Sequence, residues 1–179
     1  MQKKGKLILS VKVITTAAML AAISVAIGII CKDFFTFSVY YRITFENMPV
    51  ILAGLLFGPI VGAAVGVSAD AISCLCSTNP ALNPLITLGA AAVGIMAGIA
   101  PHIVKRKGKL QTAVAVLLAH LVGQVGIKSI GKILYLGMPW YGIFIGLGAS
   151  AFVGIFEFFI INWLSNSRGI SRFLEGKRE

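Results

Sequence analysis

The sequence predicts an all-α membrane protein: a bundle of six transmembrane helices forming one domain over residues 1–179, with both termini cytoplasmic. Three observations predict it. Hydrophobic residues make up 58% of the chain and charged residues 12%, and a mean hydropathy of +0.92 lies far above that of a soluble domain of this size. The apolar residues gather in stretches long enough to cross a bilayer. Of the 16 Lys and Arg, twelve fall as four in each of three clusters, Lys3–Lys12, Lys105–Lys109 and Arg168–Arg178, which is the bias of cytoplasmic loops.

The first helix, 12–31, follows from the apolar run Val13–Ile30. No small-residue cleavage site precedes a soluble domain, so the run reads as a span rather than a signal peptide. Ala17, Ala18, Ala21, Ala22 and Ala26 repeat at small-xxx-small spacing, which suits packing within the chain or the docking of a partner helix. The second stretch, Met48–Leu75, is one span or two. A single span makes five crossings and puts two basic clusters outside. A turn at Gly58-Pro59 makes helices 47–57 and 60–77, six crossings, with all three clusters inside. The turn has a local cause, because Pro59 lacks an amide donor and disfavours helix before it, while Gly58 accepts a positive φ. The ten residues from Met48 to Phe57 then cover only ~15 Å of a ~30 Å hydrocarbon core. Upstream, the run Tyr40-Tyr41-Arg42-Ile43-Thr44-Phe45-Glu46-Asn47 puts two charges at membrane depth, where irregular backbone is tolerated only against protein or a cavity. The expectation is a ligand pocket open to the extracellular side.

The segment Ser77–Pro84, rich in turn formers, reads as an external loop, and helices follow at 84–104, 110–136 and 140–165. Asn83, Thr87, Ala91, Gly94 and Gly98 share one face of the fourth helix, polar outermost and small below. On the fifth, His120, Gln124, Lys128 and Lys132 recur every four residues. Such a stripe cannot face lipid, since a charge at mid-bilayer costs at least ~3 kcal/mol. Counting from the inner ends places Asp70 ~16 Å up and Lys128 ~28 Å up, on one aqueous side. Tyr135, Trp140 and Tyr141 gather at the outer boundary, as an aromatic belt or as a stacking partner for a flat ring. Glu157 falls deep on the cytoplasmic side and outside the pocket.

Several chemistries are excluded. The basic clusters carry no interleaved stacking aromatics and no nucleic-acid-binding module. Cys31, Cys74 and Cys76 lack His or further Cys at metal-ligand spacing and read as small buried hydrophobes. No phosphate loop, nucleophile elbow or catalytic constellation appears, and no cofactor is implied. Asp70 has two readings: pairing with His120 or a lysine to satisfy the interior, or accepting two parallel hydrogen bonds from the amino-pyrimidinone edge of a pterin. Asn47 reads as a helix cap or a ligand contact, Asn79 and Asn83 as turn residues or ligand contacts. Lys132 snorkels to water.

The run Asn47-Met48-Pro49-Val50-Ile51-Leu52-Ala53-Gly54-Leu55-Leu56-Phe57-Gly58-Pro59, then Gly62 to Asp70, then Asn83-Pro84-Leu85-Ile86-Thr87-Leu88-Gly89-Ala90-Ala91, resembles the substrate-binding S components of energy-coupling factor (ECF) vitamin transporters, and within them the folate group. The resemblance implies high-affinity capture of folate or a reduced folate at the cell membrane. It also implies no ATP hydrolysis by this chain, and assembly with a transmembrane coupling subunit and two ATP-binding subunits. Docking of the coupling subunit would use Ala18 and Ala22, or Ala17 and Ala21 in the alternative register. The substrate-contacting set is then Arg42, Asn47, Asp70, Asn79, Asn83, Thr87, Gln124, Lys128 and Tyr135, with the loops Lys32–Glu46 and Ser77–Asn83 closing over the vitamin. The chain departs from the family pattern where an Arg near the start of the last helix is replaced by Leu147-Gly148-Ala149-Ser150. Pantothenate, a pyridine vitamin or a queuosine precursor therefore stay open as substrates. A stand-alone proton-coupled carrier relaying through Asp70, His120 and Glu157 is the reading from another class.

Overall fold

The computed structural model of the chain describes residues 11–36, 43–76, 83–104 and 108–165. Among these residues the chain forms six helices: α1 Val11–Phe34, α2 Asn47–Phe57, α3 Pro59–Leu75, α4 Pro84–Ile103, α5 Lys109–Leu136 and α6 Gly142–Ser165. Helices α1, α4, α5 and α6 are long and apolar enough to cross a membrane, whereas α2 and α3 are shorter apolar helices.

The turn between α2 and α3 forms at Gly58, with φ 95° and its amide bonded to the Gly54 carbonyl at 2.8 Å, and Pro59 opens α3 at the position where a missing donor costs nothing. At 1.5 Å per residue α2 is only about 16 Å long. It is nevertheless the most enclosed element, with Asn47, Pro49, Val50, Ile51, Leu52, Ala53 and Gly54 buried. Its neighbours close on it through small residues. A Cβ on Gly62 would stand 2.5 Å from the Gly94 carbonyl oxygen, and one on Gly54 would stand 2.6 Å from the same atom, so α2, α3 and α4 meet backbone to backbone. Above this contact the helices carry the polar residues of the candidate site.

Three features differ from the sequence expectation: two helix ends, the burial of the cysteines and the form of α5. Helix α1 runs a turn further, to Phe34, because the Lys32 ammonium donates to the Ser73 carbonyl at 3.1 Å and need not end the helix in water. Helix α3 stops at Leu75, with Cys76 as its cap. The cysteines correct a second expectation: Cys31 is buried at 4% exposure, but Cys74 is half-buried and Cys76, at a helix end, is exposed. The third difference lies inside α5, where Ala119–Ile127 is π-helical.

Helix α4 starts as the sequence suggests. Asn83 is extended and its Oδ1 accepts from the amides of Leu85 at 3.1 Å and Ile86 at 3.4 Å, with Pro84 at the first helical position. Asn83→Ala is expected to lower stability by about 1 kcal/mol. Asn83→Asp keeps the acceptor and should melt near the wild type in detergent.

Candidate functional site

Two hydrogen-bonded groups assemble the expected residues. On α3 and α4, the Thr87 hydroxyl donates to Asp70 Oδ2 at 2.7 Å and approaches the Asn83 carbonyl at 3.3 Å. Asp70, Thr87 and Asn83 thus share one end of the bundle. Around the start of α2, the Asn47 amide donates to Gln124 Oε1 at 3.4 Å and its Oδ1 accepts from Lys128 Nζ at 3.4 Å. Lys128 Nζ also lies 3.7 Å from Glu46 Oε1. Asn47, Asp70 and Lys128 line one cavity of about 20 Å³ together with Ser24, Glu46 and Ser73. A second polar cavity of about 30 Å³ lies between α5 and α6, lined by Thr44, His120, Gln124, Ser129, Lys132 and Ser150. The Asn47–Gln124 bond connects the two cavities. Each volume admits about one or two waters and is far below the ~300–1,000 Å³ that small-molecule pockets enclose.

Why Lys128 can be buried at 5% exposure is written in its neighbours. A Cβ on Gly89 would run into the lysine's Cγ, so glycine on α4 makes room for the aliphatic stem. The ammonium then reaches a carboxylate and an amide oxygen, the partners a buried cation needs. Gly28 does the same for Glu46, since a Cβ there would stand 2.8 Å from Glu46 Oε2, and Ser24 donates to the Glu46 carbonyl at 2.6 Å. The π-helical turns of α5 matter as well. A ladder bonded i→i+5 turns through a smaller angle per residue than an α-helix. Side chains four apart then drift back instead of onward, so His120, Gln124, Lys128 and Lys132 stay nearer one line.

The remaining expected residues divide. Arg42 and Asn79 lie outside the described residues, as do most of the two loops expected to close. Tyr135 is 60% exposed on the last turn of α5, where Leu134, Leu136 and Gly137 are also exposed, and the structure does not bring it to the cluster. Asp70 does not pair with His120. Helix α3 faces α4, whereas His120 on α5 faces α6 and bonds Ser150 Oγ and Glu157 Oε2, each at 2.7 Å. A relay through Asp70, His120 and Glu157 is therefore split between two separate groups. Glu46, Ser24, Ser73 and Ser150 are residues the sequence reading leaves out. Glu46 had a signal, as one of two charges at membrane depth beside Asn47; the serines had none.

On α1 the two alanine registers separate. Ala21 is buried and Ala17 packs against the core, while Ala18, Ala22 and Ala26 face outward.

Comparison with known proteins adds the following. A family model described as "ECF transporter, substrate-specific component" matches residues 12–169. The fold is similar to the crystal structure of FolT bound with folic acid, with a TM-score of 0.72 and 20% identity over 89% of this chain and 96% of that one. It is also similar to the S component for biotin from an ECF-type ABC transporter, with a TM-score of 0.66 and 14% identity over 97% of this chain and 99% of that one. No curated protein matches in sequence.

Proposed function

The chain belongs to the substrate-specific components of ECF transporters, and from that premise we propose that it captures a folate-type vitamin from outside the cell for ATP-driven uptake by partner subunits. The observation that carries this reading is the set of polar side chains that four different helices or their starts bring together: Asn47 and Lys128, both buried, and Asp70, Thr87 and Gln124, all half-buried. Gathering so many polar groups inside a membrane protein opposes stability unless they serve a ligand or a path.

The chemistry fits the parts of a folate. Thr87 bonds one Asp70 oxygen, and the carboxylate retains acceptor capacity for the adjacent donors of an amino-pyrimidinone edge. Lys128 already holds a carboxylate, that of Glu46, and a glutamate carboxylate of the ligand can replace it. The helix lengths and the basic clusters support a cytoplasmic position for both termini and for the Gly58 turn, which puts Asn47, Asp70, Asn83 and Lys128 toward the extracellular side. The cell membrane is the site of action, and the energy comes from a transmembrane coupling subunit with two ATP-binding subunits. Arg42 and Asn79 belong to this proposal as contacts from the covering loops.

A second reading, another carboxylate-bearing vitamin, is favoured by the Leu147–Ser150 segment that lacks the family Arg, and by the fold's likeness to the biotin component. Mass spectrometry of small molecules copurifying with the chain separates the two: a folate supports the first, another vitamin the second. Uptake that persists without a coexpressed ATP-binding module would contradict both.

The outward exposure of Ala18 and Ala22 supports docking of the coupling subunit on that face of α1. Ala22→Arg on this exposed face should leave folic acid binding unchanged and reduce module-dependent uptake at least about tenfold, since a rim-free small-residue contact cannot admit a long charged side chain. Reduced binding, or normal uptake, would move docking elsewhere.

A further inference from the structure

The cavity between α5 and α6 holds a group that the proposed pterin and glutamate contacts do not use. His120, Ser150 and Glu157 are all buried, Glu157 at 0% exposure. His120 Nδ1 lies 2.7 Å from Ser150 Oγ, and Nε2 lies 2.7 Å from Glu157 Oε2. Glu157 Oε1 has no hydrogen-bond partner among the described residues. The charged groups nearby are Lys132, which lines the cavity, and the Lys128–Glu46 pair.

Counting protons fixes the direction of the Ser150 hydroxyl. A carboxylate beside a neutral imidazole would leave a buried negative charge with one oxygen unbonded and its one ion-pair partner among the described residues uncharged, a costly arrangement. One further proton neutralises that charge, and two arrangements hold it: an imidazolium beside a carboxylate, or a neutral imidazole accepting from a carboxylic acid. In both, the proton between Nε2 and Oε2 is satisfied and Nδ1 carries a hydrogen. Nδ1 therefore donates to Ser150 Oγ, and the serine's own hydrogen must point elsewhere. Ser150 has no second partner among the described residues, and its side chain lines the polar cavity. On the other flank of His120 lies an apolar groove of about 390 Å³ walled by Leu117, Leu121, Leu147 and Ile155, which offers no acceptor.

We infer that Ser150 is a ligand-facing hydrogen-bond donor for an acceptor oxygen, a carbonyl or carboxylate, and that His120 and Glu157 are positioning residues that hold it in that polarity. Lys132 and Gln124, lining the same cavity, add donors of the same kind. The inference rests on the reading of the chain as a ligand-capturing component.

Two measurements test it. The chain has two His residues, so a His102→Gln variant labelled with ¹⁵N-histidine and purified in nanodiscs without a polyhistidine tag reports on His120 alone. Nδ1 is expected to show the shift of a protonated nitrogen. A bare, pyridine-type Nδ1 would overturn the assigned polarity. In parallel, Ser150→Ala should weaken folic acid binding about tenfold, one hydrogen bond's worth, and Ser150→Thr should stay within about threefold of wild type. Equal affinities for wild type and Ser150→Ala, both folded by melting temperature, would overturn the donor role and leave folate capture standing. Failure of the wild type to bind folic acid counts against the substrate instead, and the nitrogen shift still decides the polarity.

Discussion

Lys128→Met is expected to destabilise the fold by roughly 3–5 kcal/mol, the usual cost of removing one member of a buried ion pair, and to abolish measurable capture of a carboxylate-bearing ligand. The lysine is 5% exposed and lies 3.7 Å from Glu46 Oε1 and 3.4 Å from Asn47 Oδ1. Methionine fills the channel that Gly89 leaves for the stem but donates to neither oxygen. Adding Glu46→Gln removes the stranded carboxylate, so the double variant should regain most of the lost stability. It should not regain ligand. Thermal unfolding in detergent reads the first effect and equilibrium binding of folic acid the second. A Lys128→Met protein as stable as wild type would mean that the pair carries no weight in the fold, and normal folic acid affinity would remove Lys128 from the site.

Gly94→Leu should prevent accumulation of folded protein. A Cβ at position 94 would overlap the Gly62 carbonyl carbon and oxygen and stand 2.7 Å from the Ala63 amide nitrogen. These are backbone atoms, and they cannot yield without sliding α3 along α4. The penalty should exceed about 3 kcal/mol, beyond the usual range for overpacking, because no flexible side chain is available to move. Gly148→Ala is the matched control on α6, where a Cβ meets nothing within 4 Å. It should be neutral or stabilise by up to about 1 kcal/mol through helix propensity. Fluorescence-detected size exclusion of the two proteins compares them directly, and a monodisperse Gly94→Leu peak would contradict the close approach of α3 and α4.

The helices were legible because their signals are local. Gly58-Pro59 announces a turn whatever surrounds it, and Asn83-Pro84 announces a helix start. Charge bias then selected six helices over five. The site was legible only in outline. Spacing and depth placed Asp70, Thr87, Asn47, Gln124 and Lys128 at one end, but partners depend on which helices adjoin, and that is a long-range fact. Thus Asp70 was free to meet His120 in the sequence, while in the structure the α5–α6 contact gives His120 to Glu157. The π-helical turns of α5 left no signal, since Gly123 and Gly126 are compatible with an α-helix in a membrane. Nor could alanine spacing choose a register on α1, because both registers satisfy the same pattern and only their burial distinguishes them, with Ala17 and Ala21 turned to the core and Ala18 and Ala22 exposed.

Binding of folic acid to the purified chain and to its Asp70→Asn variant tests the central claim most directly. Asparagine keeps the volume and a bond to Thr87 but loses the carboxylate's paired acceptors. The wild type is expected to bind below about 1 μM and the variant at least about a hundredfold more weakly, a loss of ~2.7 kcal/mol. Equal binding by the two proteins, or none by a folded wild type, would contradict the account.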